Sequence, residues 1–313
     1  MSIVNVIIPG APKAGTMSIT SILNQHNDVF VPAWKEPRFF IADKIRALPD
    51  GAPLKKYLMR SSALDWKKYK SIYDNESRFK IDASVQYLYY YDSVVPKIKE
   101  YLSDPFIFII LRDPVQRALS NYYFNIGAEI KLSNNFIDAI KKEMNGEKDN
   151  LFGFMHNYKA GLYYEPVKYY LENFSNVKVL FYEDFQCDNL RFANSILETL
   201  GLSGLKTIIE LPKLNTSSEL TFVGKVLFNK YSPYRLTDKF ILPLFIDEGV
   251  LHKRKLKLKA MFKKKKTLNN KLTEEEMKFM YDLYKEDVMK LMKLLNLKSL
   301  PWPKFKNINY SVY

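Results

Sequence analysis

Short apolar runs recur along the chain at residues 3–9, 29–32, 79–84, 106–111 and 177–182. They are strand-sized, and most lead into stretches where apolar residues return every three or four positions. That alternation predicts β-α units, hence a three-layer α/β fold with a central parallel sheet of about five strands flanked by helices. The strands are expected near residues 3–9, 28–32, 79–83, 106–112 and 177–182. A helix is predicted over residues 189–200, and a closing one over 273–297. In the latter, Thr273 and Glu276 read as a capping box, and Met277, Met280, Tyr281, Tyr284, Val288, Leu291, Met292 and Leu295 share a face. Between them the pattern is irregular, with Pro212, Pro233 and Pro243. No repeat or linker divides the chain, so residues 1–313 are expected to form a single domain.

The turn after the first run reads Pro9-Gly10-Ala11-Pro12-Lys13-Ala14-Gly15-Thr16-Met17-Ser18. Glycines let a backbone approach an anion closely, and the amides and dipole of a following helix favour negative charge. A nucleoside triphosphatase loop reads G-x-x-x-x-G-K-[ST]. Gly10 and Gly15 have that spacing, but Thr16 stands where the lysine belongs, and the loop's lysine is Lys13. The pattern is P-loop-like, yet it argues against ordinary ATP use. A nucleotide-dependent kinase is the alternative, and it would need a lysine after Gly15 and a metal-binding aspartate.

The segment 12–18 resembles the first motif, P-K-[SAG]-G-T-[TSR]-[SWA], of the sulfotransferases that use 3'-phosphoadenosine 5'-phosphosulfate (PAPS), departing from it at Met17. A second segment, Arg112-Asp113-Pro114-Val115-Gln116-Arg117-Ala118-Leu119-Ser120, follows the strand at 106–111 and is similar to their L-R-[DN]-P-x-x-R-x-x-S. Asp113 is a natural N-cap and Pro114 a natural first helical residue. The resemblance implies that Lys13, Ala14, Gly15, Thr16, Met17 and Ser18 hold the 5' end of the donor, Met17 through its backbone alone. It also implies that Arg112 and Ser120 hold the 3'-phosphate, for which a guanidinium fork is suited. Arg117 reads as a solvated or salt-bridged helix residue. Tyr182, in Phe181-Tyr182-Glu183-Asp184, matches an L-x-Y-E-D segment whose tyrosine touches the adenosine half; Glu183 and Asp184 are expected to cap the next helix.

On the acceptor side, Lys35-Glu36-Pro37-Arg38-Phe39-Phe40 resembles the K-E-x-x-[FY]-F segment of the heparan-type and other carbohydrate sulfotransferases. There the glutamate is the general base, which must reach the acceptor hydroxyl. Cytosolic small-molecule relatives use a histidine instead, but His26, His156 and His252 stand in no such context, and His26 reads as the end of the first helix. Glu36 is thus the expected base and Lys13 the stabiliser of the leaving phosphate. Asp82 and Tyr87 occupy the segment that resembles G-E-[AK]-[ST]-P-x-Y at the acceptor mouth, with Ile81, Asp82 and Val85 departing from it. Asp82 is a rival base. Tyr89, Tyr90 and Tyr91 read as a half-buried aromatic face.

Composition adds charge to this picture. The chain carries a formal +14, and nine of its Lys and Arg fall at residues 251–267 without one acid. That basic loop could close over the donor, contact an anionic surface through 253–266, or simply be solvated. Without base-reading motifs it does not predict nucleic-acid binding. The single cysteine, Cys187, and the scattered histidines predict no metal site. No apolar run reaches the ~18 residues of a membrane helix and no signal peptide is evident, so a cytoplasmic enzyme is expected. Its substrates would be PAPS, released as the desulfated product PAP, and a carbohydrate or other hydroxyl- or amine-bearing acceptor. A small non-carbohydrate acceptor is the alternative.

Overall fold

The computed structural model describes residues 3–52, 54–128, 130, 133, 135–146, 152–209, 218–220, 263–265 and 272–305. Strand β1 (Val6–Ile7) opens into the phosphate-type loop and α1 (Thr16–Leu23), and β2 (Val29–Phe30) follows. Three short helices, α2 (Ala42–Arg46), α3 (Lys55–Arg60) and α4 (Trp66–Ile72), precede β3 (Phe79–Asp82) and α5 (Tyr91–Leu102). Next come β4 (Phe106–Leu111), α6 (Pro114–Gly127), α7 (Phe136–Met144) and α8 (Tyr164–Asn173). The last sheet strand, β5 (Val177–Phe181), runs into α9 (Tyr182–Cys187) and α10 (Asn189–Thr199). In a second compact unit, residues 127–129 and 213–271, β6 (Ser218–Leu220) pairs antiparallel with β7 (Lys263–Lys265). Apart from β7, the basic run 251–267, with its expected lid or surface contact, lies outside the described residues. The closing helix α11 (Glu274–Leu294) belongs to the first unit and carries the expected Thr273–Glu276 capping box.

The sheet is parallel throughout, in the order β2-β3-β1-β4-β5. The inner strand β4 is buried from Ile107 to Leu111, which explains its unbroken apolar sequence. The chain winds from β1 towards β2 and later from β3 through β4 to β5, so right-handed crossovers place successive helices on opposite faces. Accordingly α1 packs with α10, while α5 packs with α8 and α8 with α11. Winding reverses around β1, and crevices at such reversals, at the carboxyl ends of strands, hold ligands. Asp113 caps α6 as its sequence suggests, its Oδ1 accepting from the amides of Val115 (2.9 Å) and Gln116 (3.1 Å).

One buried polar cluster locks the β3 end of this edge. Asp82 is wholly buried, and its Oδ2 accepts hydrogen bonds from the hydroxyls of Tyr69 (2.9 Å) and Tyr87 (3.0 Å). Its Oδ1 accepts from the Ser84 amide (3.0 Å) and hydroxyl (2.6 Å), and the Ser84 hydroxyl in turn accepts from the Arg38 amide (3.0 Å). Burial pushes the Asp82 carboxyl up to about 6, against the pull of these donors. A raised carboxyl binds its proton more tightly folded than unfolded, so its contribution to stability is fullest below about pH 4 and is lost as pH rises through about 6. Relative to Asp82→Asn, which cannot titrate, wild type should therefore lose about 2 kcal/mol of unfolding free energy between pH 4 and pH 7. Urea midpoints at the two pH values measure this, and a gap independent of pH would contradict it.

Candidate active site

The loop after β1 is stitched to β4 and to the segment that follows β3. The Pro9 carbonyl accepts from the Leu88 amide (2.8 Å), the Gly10 carbonyl accepts from Ile110 (2.8 Å), and the Ala11 amide donates to Ile110 (2.6 Å). Lys13 and Gly15 both adopt left-handed backbone, with φ of 69° and 72°. Glycine is demanded at 15 for a second reason: a Cβ there would lie 2.4 Å from the Tyr182 ring. Helix α1 then begins at Thr16 with no side-chain cap and no acid in its first turn. Its leading amides and dipole face the loop, an arrangement that favours an anion.

Cations gather around that helix start. Arg112, one residue past β4, donates from Nη1 to the Lys13 carbonyl (2.9 Å), and its guanidinium lies over the Tyr182 ring at 5.0 Å. The Lys13 ammonium sits 4.4 Å from the centre of the Phe124 ring. Burial, then the positive charges of Arg112 and Arg117, lower its pKa to about 8 in spite of Glu36. Ser120 lies on α6, one turn before Phe124. The structure thus brings Lys13, Gly15, Arg112 and Tyr182 into one cluster beside the start of α1, with Met17 exposed at its rim. Sequence reading missed Phe124; its signal was its place one turn after Ser120.

Glu36 lies on the same side. Lys35 donates to the Thr16 hydroxyl (3.1 Å) and stands 3.9 Å from the Glu36 carboxylate. Arg38 grips Glu36 Oε2 at 2.6 Å, and the Gln86 amide donates to the same oxygen at 3.1 Å. Burial disfavours the Glu36 charge, but Arg38, Lys35 and the hydrogen bonds outweigh it and hold the carboxyl below its ordinary range. Burial likewise lowers the Lys35 pKa. Glu36 is therefore an ionised, aimed carboxylate, and Lys35, Arg38 and Gln86 are the groups that aim it.

Other residues sit elsewhere than their sequence context suggests. Asp82 and Tyr87 are buried and hydrogen-bonded to each other, not open at a pocket mouth. Arg117 is not a solvated helix residue; it is wholly buried. Glu183 lies in the first turn of α9 as expected, and its carboxylate also ties distant segments, accepting from the Asp113 amide (3.0 Å) and the Trp302 indole (3.0 Å). His26 holds the turn after α1, its Nδ1 accepting from the Asp28 amide (3.1 Å). Tyr89 and Tyr91 form the expected half-buried face, stacked on His156 and tilted against Tyr169. With Pro12, Tyr158, Leu162 and Pro166 they line a cleft of about 460 Å³. Because Pro12 precedes Lys13 and the cleft opens at the starts of α5 and α8, it shares the sheet edge that carries the phosphate-type loop.

This site offers an anion seat, a desolvated lysine and a positioned carboxylate, the parts needed to move an anionic group from a donor to a nucleophile. Among the described residues no helix is long and apolar enough to cross a membrane, and no group of His, Cys, Asp and Glu is placed to hold a metal ion. The family described as "Sulfotransferase domain" matches residues 4–294. Among solved structures, a sulfotransferase from Alicyclobacillus acidocaldarius is similar in fold, with a TM-score of 0.68 at 22% identity over 96% of this chain and 98% of that one. A retinol dehydratase in complex with androsterone and inactive cofactor PAP gives a TM-score of 0.46 at 15% identity, covering 92% of this chain and 81% of that one. No curated protein matches the sequence. The match of a family across nearly the whole described sheet and its flanking helices, on a site built for anion transfer, places the chain in the sulfotransferase family.

Proposed function

We propose that this sulfotransferase moves a sulfuryl group from PAPS to a hydroxyl or amine of an acceptor, with Glu36 as general base and Lys13 at the leaving phosphate. The observation that carries the reading is the Lys35 ammonium, which spans the Thr16 hydroxyl at the anion seat and the Glu36 carboxylate. It ties base and anion seat together within one side chain's reach. The kinase alternative gives way to the family match and to Thr16 where a kinase-type loop needs lysine.

The donor fits the residues present. The start of α1 has no side-chain cap and no acid in its first turn, and Gly15 lacks a Cβ where the Tyr182 ring closes in. Lys13, Ala14, Gly15, Thr16, Met17 and Ser18 would hold its 5' end, Arg112 and Ser120 its 3'-phosphate, and Tyr182 its adenosine. Bound PAPS supplies an activated sulfuryl group, transferred in line with PAP as leaving group, chemistry that parallels phosphoryl transfer. Lys13 supplies positive charge at the bridging oxygen, and a preorganised charge in a desolvated site is worth far more than one in water. Glu36, fixed by Arg38 and Gln86, takes the proton of the attacking group.

For the acceptor, the segment 35–40 favours a carbohydrate or glycoconjugate. The aromatic lining of the cleft beside Pro12 favours a second reading, a compact acceptor with an apolar body, since tyrosine faces stack on either. Activity assays with PAPS across sugars and hydroxylated aromatics separate the two.

Glu36→Gln keeps shape and removes the base. Turnover on any accepted substrate should fall by roughly two to four orders of magnitude with PAP binding near wild type. Wild-type turnover in that variant would remove Glu36 from the chemistry. The pH profile tests the pair together. Lys13 acts protonated, so kcat/KM should decline above about pH 8. Glu36 acts ionised and its pKa lies below the ordinary 4.5, so no acid limb should appear above that value. Lys13→Arg, protonated at every accessible pH, should lose the alkaline limb; a limb that persists belongs to another group.

A further inference from the structure

Phe124 lies on α6 one turn after Ser120, and it is 45% exposed, whereas Asn121, Tyr122 and Asn125 of the same helix are buried. The core therefore gains little from its ring. What the ring does meet is the phosphate-type loop: the Lys13 ammonium stands 4.4 Å from its centre, a distance at which the negative face of an aromatic ring attracts a cation. Lys13 leaves the loop from left-handed backbone (φ 69°), and its carbonyl is held by Arg112 at 2.9 Å. The root of the side chain is thus fixed through the backbone, and its tip meets the ring. Among the described residues the Lys13 ammonium makes no ion pair. Glu36, the carboxylate that bears on it, is taken by Lys35 at 3.9 Å and Arg38 at 2.6 Å.

The proposed chemistry asks Lys13 to carry charge, and most of its surroundings oppose that. Burial and the positive charges of Arg112, beyond β4, and Arg117, of α6, favour the neutral amine, while Glu36, beyond β2, favours the ammonium. A carboxylate placed against Lys13 would keep it protonated, but it would also cancel the charge and repel an anionic donor. An aromatic ring attracts the ammonium and leaves its charge unspent. We propose that Phe124 is a positioning residue for Lys13: its ring seats the ammonium beside the phosphate-type loop and favours the charged form. The inference rests on the reading of Lys13 as the group at the leaving phosphate.

Nuclear magnetic resonance on protein labelled with carbon-13 lysine tests this without any acceptor. The Lys13 ε-methylene signal, assigned by its absence from Lys13→Arg, is titrated in wild type, Phe124→Leu and Phe124→Trp. Phe124→Leu keeps an apolar side chain and removes the ring; at a half-exposed position it should melt close to wild type. Its Lys13 should titrate about half a pH unit lower than in wild type, as befits the loss of a cation–π contact. Phe124→Trp, whose ring attracts cations more strongly, should titrate no lower than wild type. The Lys13 ε-protons, shifted upfield by the ring face in wild type, should return among those of the other lysines in Phe124→Leu. If Phe124→Leu leaves either the titration or the proton position as in wild type, or if Phe124→Trp titrates below wild type, the ring does not serve Lys13. A Phe124→Leu protein that does not fold would assign the ring to packing and overturn the proposal equally. Wild type that fails to bind PAP in calorimetry would instead refute the proposed function and leave the titration as it stands, so the two failures are distinguishable.

Discussion

The hydrogen bond from the Arg112 guanidinium to the Lys13 carbonyl joins the two halves of the site. It ties the loop after β1 to the turn between β4 and α6, which are 99 positions apart in sequence. Beside it lie the left-handed backbone of Lys13, the Arg112 guanidinium over Tyr182, and that ring against the bare Cα of Gly15. The sheet makes it possible, since adjacent parallel β1 and β4 deliver their following loops to one edge.

The same tie concentrates like charge. Burial first, and then the positive charges of Arg112 and Arg117, lower the Lys13 pKa to about 8. Like charge gathered in this way suits an anion, which is what the proposed donor would bring. Such stored unfavourable charge is a usual cost of a functional site, offset by packing elsewhere. Here the offset includes the apolar β4 core and the satisfied Asp82 cluster. Around the proposed base the logic is opposite: Glu36 is surrounded by cations that keep it ionised, which would also make it a weaker base. Precise aim, from Arg38 and Gln86, then matters more than intrinsic basicity.

The parallel sheet, the loop, Arg112, the α6 cap and the Thr273 capping box were legible because each depends on local pattern: an apolar run, a glycine, or a capping residue at fixed spacing. Glu36 was singled out only through resemblance, and its role as base is a proposal; nothing local in the sequence says that Lys35 bridges to Thr16. The burial of Arg117 was illegible because it depends on residues 155–159 and Tyr284 folding over α6, contacts that leave no periodicity. The role of Asp82 was hidden for the same reason: its partner Tyr69 lies on α4, in a segment that carries no motif. Glu183 looked like a capping residue because it opens α9, yet its carboxylate is claimed by Asp113 and Trp302 from far along the chain.

The central claim is that this edge of the sheet is a seat for a nucleotide bearing phosphates at both its 3' and 5' positions. Calorimetric titration with PAP and with adenosine 5'-monophosphate, on wild type and Arg112→Ala, tests it most directly. Wild type should bind PAP distinctly more tightly than the monophosphate, and Arg112→Ala should erase most of that difference by removing a charge-assisted contact to the 3'-phosphate. Equal binding of the two nucleotides by wild type, or a preference that survives in Arg112→Ala, would contradict the account.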